Sequence, residues 1–422
     1  MRASVLYRHH LIGCLAAAAL LGACVSPGSP LSTPSPASCG GDCKQVMLAM
    51  AYTANLSGSI NLGTDPNVNT LQRVTATTTN RVNYALSTID VLDNNWTTVW
   101  GPVVVLKPNN PPPPPTQPAQ VPANTVFVAK QNGANVYVIA IAGTNPPSLF
   151  DWNDEDLDAN PILWPGTYAY QGIRVTKGTL TGLEILQGMQ SGGSSVTLYE
   201  LLKGIAANQA TIYITGHSLG GALAPALGLW LAEQQSDWDP SSNTTLQVYS
   251  FAGATPGDQK FAEYVYKKFP GGAGQNNMVV VDNALDVVPH AFNLQNLEQL
   301  DTLYLQNPQT CQPNSTSLIC IYPGTAEQQG IQTAIDKVKK ASSYGISFAK
   351  LGEGSQVQGF TGGLKSTAQL ATGLDCALLQ TPGLDDYEKE AIYQHICAYP
   401  AVLGPTTLDA SLQACRAKYP TG

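Results

Sequence analysis

The order of apolar and polar positions divides the chain into recognisable elements. From Lys44 to Leu56 apolar residues recur at helical spacing, and the stretch from Thr88 to Leu106 reads as strands broken near Asp93 and Asn95. PNNPPPPPTQPAQVP, residues 108–122, then interrupts the pattern. Such a run favours a stiff polyproline II excursion and is expected as an exposed loop outside the sheet. TVFVAK and ANVYVIAIAGT follow, separated by Gln131, Asn132 and Gly133, which predicts a hairpin leading into a buried strand that ends at Gly143 and Thr144. Beyond an Asp-, Trp- and Pro-rich stretch, the pattern alternates. A helix from about Val196 to Ala207 precedes the strand ATIYI; a helix from Gly220 to Glu233, the strand TTLQVYSFAG, a helix near Lys260 to Lys267 and the strand NMVVVDN follow. Alternation of this kind predicts an α/β fold, a mostly parallel central sheet with helices on both faces.

The first residues do not belong to that fold. Arg2 and Arg8 precede an apolar run from Leu11 to Leu21, and Gly22, Ala23 and Cys24 follow. This is the anatomy of a signal peptide, with an apolar run too short to serve comfortably as a permanent span. LGAC resembles the lipobox of bacterial lipoproteins. The resemblance implies that the Cys24 thiol receives a diacylglycerol and that Cys24 becomes the new N-terminus, anchoring the protein to a membrane. VSPGSPLSTPSPAS then reads as a tether. The expected organisation is a signal peptide at 1–23, a tether at 24–42 and one large domain with insertions at 43–422, including the Pro-rich loop 108–122. The expected location is extracytoplasmic and lipid-anchored. Val25, in place of an aspartate, is permissive for the outer membrane where the host has one.

Composition narrows the partners. Lys and Arg number 21 against 29 Asp and Glu, a net charge of -8, and no basic cluster is present to neutralise a row of phosphates, so nucleic acid is excluded as a partner. Charged residues make up only 12% of the chain, which suits an extracytoplasmic protein. Beyond Cys14 and Cys24 seven cysteines remain: Cys39, Cys43, Cys311, Cys320, Cys376, Cys397 and Cys415. An oxidising compartment favours disulfides, Cys311 with Cys320 first because the intervening loop is short, and the odd number leaves one thiol free. No CxxC pair or histidine cluster has zinc-ligand spacing, so neither a metal nor another cofactor is expected.

The chemistry concentrates at ATIYITGHSLGGALA, where Gly216, His217, Ser218, Leu219 and Gly220 stand between an apolar strand and an amphipathic helix. This is the context of a nucleophile elbow, a turn so tight that glycines are needed at 216 and 220 while Ser218 is held out at its apex. Acyl transfer also needs donors for the oxyanion. The Leu219 N–H is one; IAIAGTNPP offers Thr144 as the other, although a Gly-Thr strand end also occurs without any such role. An acid is expected just beyond the strand MVVV, where Asp282 and Asp286 both qualify. His9 and His10 leave with the signal peptide and His217 is turned away from Ser218 by the elbow, so His290 and His395 remain as bases. Both follow the acid, and chain order does not separate them.

Taken in order, TGHSLGGALA, AGTNPPSLFDWNDEDL, VYSFAGATPGDQKFAEYV and NALDVVPH resemble the class 3, or fungal-type, lipases of the α/β-hydrolase superfamily, over about Thr125 to His290. The chain departs from that family in having Ile141, Ala142, Gly143 and Thr144 where Phe-Arg-Gly-Thr is usual, and Thr176, Lys177, Gly178 and Thr179 where His-x-Gly-Phe is usual. The resemblance implies Thr144 as an oxyanion residue and Asp286, in an Asp-x-Val-Pro string, as the triad acid, leaving Asp282 as a loop-capping residue. It also implies His395 as the base, because the family has a non-triad histidine in its Val-Pro-His string and a histidine shortly before a tyrosine, here Tyr399, in its closing segment. The activity it implies is serine-dependent hydrolysis of carboxylic esters, lipid esters foremost, with lipid as the partner. Short-chain esterase, phospholipase, acyltransferase and a non-catalytic envelope lipoprotein are the alternatives. Residues 149–170, with Phe150, Trp152, Leu163, Trp164, Tyr168 and Tyr170, are either a lid over the nucleophile or a surface loop packed by its own aromatics.

Overall fold

A computed structural model describes residues 39–58, 60, 70–108, 120–145, 155, 158–166, 171–192, 195–271, 275–312, 317–343, 345–351, 357–374 and 376–420. Seven strands form one sheet in sequence order: β1 (Trp96–Pro108), β2 (Gln120–Gln131), β3 (Val136–Ile141), β4 (Ala210–His217), β5 (Thr244–Phe251), β6 (Asn277–Asn283) and β7 (Val357–Phe360). β1, β2 and β3 are antiparallel neighbours, whereas β3 through β7 pair in parallel, as the strand and helix alternation predicts.

Side chains of β3 alternate between the two faces. Val136, Val138 and Ala140 join a core with the helices α1 (Cys43–Ala54), α2 (Thr70–Thr88) and α9 (Leu408–Lys418). Ile139 and Ile141 join a second core with α3 (Lys177–Gly188), α4 (Leu198–Ile205), α5 (Leu219–Glu233) and α6 (Gln259–Lys268). The period-two pattern of the strand thus decides which helix layer each residue meets. A surface helix of 18 residues, α7 (Thr325–Ser342), and a shorter helix, α8 (Asp386–Ile392), lie later in the chain.

Three expectations need correction. The stretch from Thr88 to Leu106 is not strand throughout: Thr88 ends α2, residues 89–95 form a turn, and β1 begins only at Trp96. The turn places Asp93 and Asn94 at φ 44° and 53°, conformations that these two residue types accept best after glycine. α2 itself is absent from the sequence reading because its threonines suppress helix propensity. Tertiary contacts and local bonds override that weakness, since Val74, Val82, Ala85 and Leu86 are buried and the Thr78 and Thr79 hydroxyls donate to carbonyls one turn back.

The Pro-rich excursion is narrower than 108–122. Pro108 pairs with Gln120, Lys107 with Val121 and Leu106 with Pro122. Pro122 is tolerated there because β3 pairs with β2 only from Val126 onward, so no ladder bond is lost on that side. Residues 109–119 lie outside the described set. The end of the expected tether is also folded: Cys39 is bonded to Cys43, and the Asp42 side chain caps α1 by accepting the Lys44 N–H. Cys311 pairs with Cys320, Cys376 with Cys397, and Cys415 is a buried free thiol. Cys24 and the rest of residues 1–38, on which the expected signal peptide and most of the expected tether fall, lie outside the described residues.

Candidate active site

β4 runs into α5 through a single residue, Ser218, at φ 61° and ψ -126°. A non-glycine residue at positive φ stores strain, and here the turn is over-determined by its neighbours. A Cβ on Gly216 would stand 2.2 Å from the Gly220 carbonyl oxygen, and one on Gly220 would stand 2.4 Å from that of Ile141. The Ser218 N–H donates to the Phe251 carbonyl at 3.0 Å, which ties the elbow to the end of β5.

Ser218 Oγ lies 2.9 Å from His395 Nε2, and His395 Nδ1 lies 2.9 Å from both Asp286 oxygens. A carboxylate only accepts, so Nδ1 carries the proton and Nε2 is left to accept from the serine hydroxyl. Asp286 is fully buried, and its charge is matched by donors: the Val288 N–H on Oδ1 at 3.0 Å and the Tyr399 hydroxyl on Oδ2 at 2.9 Å. The Tyr399 oxygen accepts in turn from the Asn283 N–H at 3.0 Å. His395 sits within a π-helical turn, Tyr393–Cys397, of the kind often found at functional sites.

His290 is close in sequence to Asp286 but does not point at the serine. Its Nδ1–H donates to the Asp286 backbone carbonyl at 2.7 Å, closing the loop on itself. Asp282 is neither a loop cap nor an exposed carboxylate. It lies on β6, buried, in an ion pair with Lys350 at 3.0 Å; burial pushes its pKa up to about 6, with Lys350 opposing the shift.

Several contributors carry no sequence signal. His217 faces away from Ser218, as the elbow requires, and its Nε2–H donates to the His395 carbonyl at 2.8 Å while its ring packs on that of His395 at 4.7 Å. Burial, reinforced by the neighbouring His395, holds His217 well below the usual histidine pKa and therefore neutral. Tyr52 on α1 donates to the Ile396 carbonyl. Gln394 is gripped by Asn283, whose Nδ2 donates to its carbonyl at 2.8 Å and to its Oε1 at 2.7 Å. Together these bonds fix the turn that presents the imidazole.

Leu219 begins α5 directly after Ser218, so its N–H belongs to the first-turn donors of a helix N-terminus. The loop after β3 packs directly on the elbow: a Cβ on Gly143 would be 2.6 Å from the His217 carbonyl oxygen and 3.1 Å from Ser218 Cβ. Thr144 follows on that loop. Ala142 N–H donates to the Thr125 carbonyl, and Gly143 N–H to Asn55 Oδ1 at 2.6 Å. Among the described residues no cluster of three His, Cys, Asp or Glu side chains is placed to hold a metal ion.

Of the segment 149–170, Phe150, Trp152, Tyr168 and Tyr170 lie outside the described residues. Trp164 does not belong to a mobile aromatic face: it is fully buried against Phe261 and donates to Glu233. Ile162 and Leu163 are exposed on a short strand, Pro161–Leu163, paired with Arg174–Thr176.

Residues 138–296 match the profile of the family described as Lipase (class 3). No curated protein sequence matches the chain. Among solved structures, M37 lipase is 25% identical with a TM-score of 0.64, over 89% of this chain and 98% of its own. A triacylglycerol lipase from Penicillium expansum is 18% identical with a TM-score of 0.32, over 53% of this chain and 72% of its own. Lipase II from Rhizopus niveus is 17% identical with a TM-score of 0.34, over 54% of this chain and 75% of its own. In its matched segment the chain is similar to the class 3 lipases, and its fold is the α/β-hydrolase fold.

Proposed function

We propose that the chain hydrolyses carboxylic esters, lipid esters foremost, through an acyl-enzyme. Ser218 Oγ attacks the ester carbonyl while His395 Nε2 takes its proton, and Asp286 holds the imidazole in the required tautomer and stabilises the imidazolium. The tetrahedral oxyanion is held by the N–H groups of Leu219 and Thr144. Collapse of that intermediate breaks the carbonyl–alkoxy bond, His395 protonates the departing alcohol, and water repeats the sequence in reverse to free the acid. The observation that carries this reading is the hydrogen-bonded line from Ser218 through His395 to buried Asp286. Lipid as the substrate class is supported by the class 3 lipase match over residues 138–296. A lipid anchor on Cys24 is part of the same proposal and would hold the hydrolase at a membrane outside the cytoplasm.

The test is ester turnover and fluorophosphonate labelling of the wild type and of Ser218→Ala. The wild type should label and turn over p-nitrophenyl esters, with longer chains favoured when a lipid interface is present. Ser218→Ala should fold, fail to label and lose about 10⁴-fold or more of the turnover. Turnover that survives in Ser218→Ala would remove the nucleophile assignment, and a wild type that neither labels nor turns over would remove the hydrolase reading.

A further inference from the structure

The two N–H groups that receive the oxyanion in this reading stand on supports of unequal stiffness. Leu219 opens a helix of 15 residues whose first turn is buried. Thr144 stands on a loop directly after Gly143, and that glycine is obligatory, because a Cβ would meet the His217 carbonyl oxygen at 2.6 Å. Glycine is also the residue with the least intrinsic backbone restraint. The close approach that the elbow demands therefore leaves the oxyanion loop with its softest residue at the position where direction matters most.

We propose that Asn55 supplies the missing restraint and is a positioning residue of the oxyanion loop. Its Oδ1 accepts the Gly143 N–H at 2.6 Å, which fixes the peptide immediately before the one that carries the Thr144 N–H. Asn55 is itself held. It is the C-cap residue of α1, its N–H donates to the Thr53 and Tyr52 carbonyls, and its own carbonyl accepts the Gly58 N–H at 3.1 Å. Buried Arg81 donates through Nη1 to the Leu56 and Gly58 carbonyls at 2.8 and 3.4 Å. Next to Asn55, the Ser57 hydroxyl accepts from Thr125 Oγ1 at 2.7 Å, and the Thr125 carbonyl accepts the Ala142 N–H at 2.9 Å. The segment 55–58 thus holds the Gly143 amide directly and also contacts Thr125, whose carbonyl holds the preceding amide, that of Ala142. It lies outside the residues matched by the lipase family profile, 138–296, so part of the site's rigidity comes from the N-terminal portion of the chain.

The catalytic consequence rests on the acyl-enzyme reading above. Donors that are already aimed cost no reorganisation when charge develops, so a loosened loop weakens the transition state more than the bound ester. Asn55 touches no reacting atom in this account, and its loss is smaller than that of a donor.

The experiment compares wild type, Asn55→Ala and Asn55→Ser, with kcat and KM on p-nitrophenyl butyrate expressed per site titrated by a fluorophosphonate. Serine keeps a polar group at this half-buried position and guards against a variant that fails to fold. Removing an oxyanion donor costs about 10²- to 10³-fold, so both variants should lose about 10- to 100-fold in kcat with KM within about threefold of wild type. An alkylboronic acid, which forms a tetrahedral adduct on Ser218, should bind more weakly by a similar factor. A merely structural role would lower the melting temperature and the number of titratable sites while leaving kcat per site and boronate affinity unchanged, and that result overturns the proposal. Exchange of the Gly143 amide hydrogen reads the restraint without activity: it should be faster in both variants, and unchanged exchange overturns the proposal. A wild type lacking Ser218-dependent turnover alongside faster exchange in the variants would instead overturn the hydrolase reading, with the restraint intact.

Discussion

Asp282 and Asp286 stand four residues apart and are both buried, yet their surroundings differ in kind. Asp286 is met by the His395 ring, the Tyr399 hydroxyl and the Val288 N–H, three donors to its two oxygens. Asp282 has Lys350 as its charged partner and faces no imidazole. Asp286→Asn should therefore lower kcat/KM about 10⁴-fold at neutral pH, because an amide does not hold the imidazole in the proton-accepting tautomer or stabilise its cation. Asp282→Asn should stay within about tenfold of wild type, its cost appearing in thermal stability as Lys350 loses a buried partner. Equal losses of kcat/KM in the two variants would sink the assignment of the acid. The residues that meet at this site differ sharply in how far they can be read from the sequence. Ser218 is marked by Gly216, whose Cβ would collide with Gly220 inside the turn, a local requirement that leaves a local pattern, and by Gly220, whose Cβ would meet the Ile141 carbonyl at the end of β3. Asn55, Asn283 and Gln394 act on partners 88 and 111 positions away, and an isolated Asn or Gln carries no signal of such a contact.

Elements show the same division between local and distant causes. The strands β3 to β6 are legible because their apolar runs are continuous or alternate with period two, and α5 because a buried helix follows a strand across a glycine-bounded turn. The threonine-rich α2 is not, since what holds it is packing and Arg81 reaching the Tyr419 carbonyl. Nor is the π-helical turn that presents His395, whose geometry is set by α8 and by the polar residues around it. Glu390 on α8 is fully buried; its Oε1 accepts from Gln394 Nε2 at 2.8 Å and from the Lys365 N–H at 3.1 Å. Burial pushes its pKa up to about 7 from an ordinary 4.5, opposed by those donors and by the Lys365 charge. Between these two values the folded protein keeps a proton that the unfolded chain has already lost, so stability falls as pH rises through this window. The favourable contribution is whole below the unfolded value of 4.5 and gone above about 7, with an upper bound of about 3 kcal/mol. Glu390→Gln keeps an acceptor for Gln394 and Lys365 but has no charge to gain. Its melting temperature relative to wild type should rise between pH 5 and pH 8 by about 5 °C. A difference that does not change with pH would mean that Glu390 is ionised in the folded protein throughout.

Along the full chain, the residues assigned to the site all follow the anchor proposed at Cys24, so the two should be separable by mutation. Among the described residues no helix is long and apolar enough to cross a membrane. Among the described residues the fold opens with the Cys39–Cys43 disulfide and the Asp42 cap, four positions before the start that the sequence alone suggests. Everything assigned to the site, from Tyr52 to Tyr399, lies after that disulfide. Membrane attachment is instead proposed to reside in Cys24, preceded by the apolar run Leu11 to Leu21 and followed by Ser/Pro-rich residues. A single acyl chain holds a protein only marginally, and a diacylglycerol thioether adds the second chain that makes anchoring stable. Cys24→Ala removes the acceptor thiol without touching the folded part. It should abolish incorporation of labelled palmitate and move the protein out of the detergent-soluble membrane fraction, or leave it with its leader uncleaved, while kcat/KM on a soluble short-chain ester per titrated Ser218 stays within about twofold of wild type. Turnover of esters embedded in vesicles should fall by far more, because the anchor raises the local concentration of enzyme at the interface. If Cys24→Ala still takes up label and still fractionates with the membrane, the anchor lies elsewhere. If it loses the label but also loses soluble-ester turnover per site, the leader and the fold are coupled, and the division of the chain at Cys39 has to be redrawn.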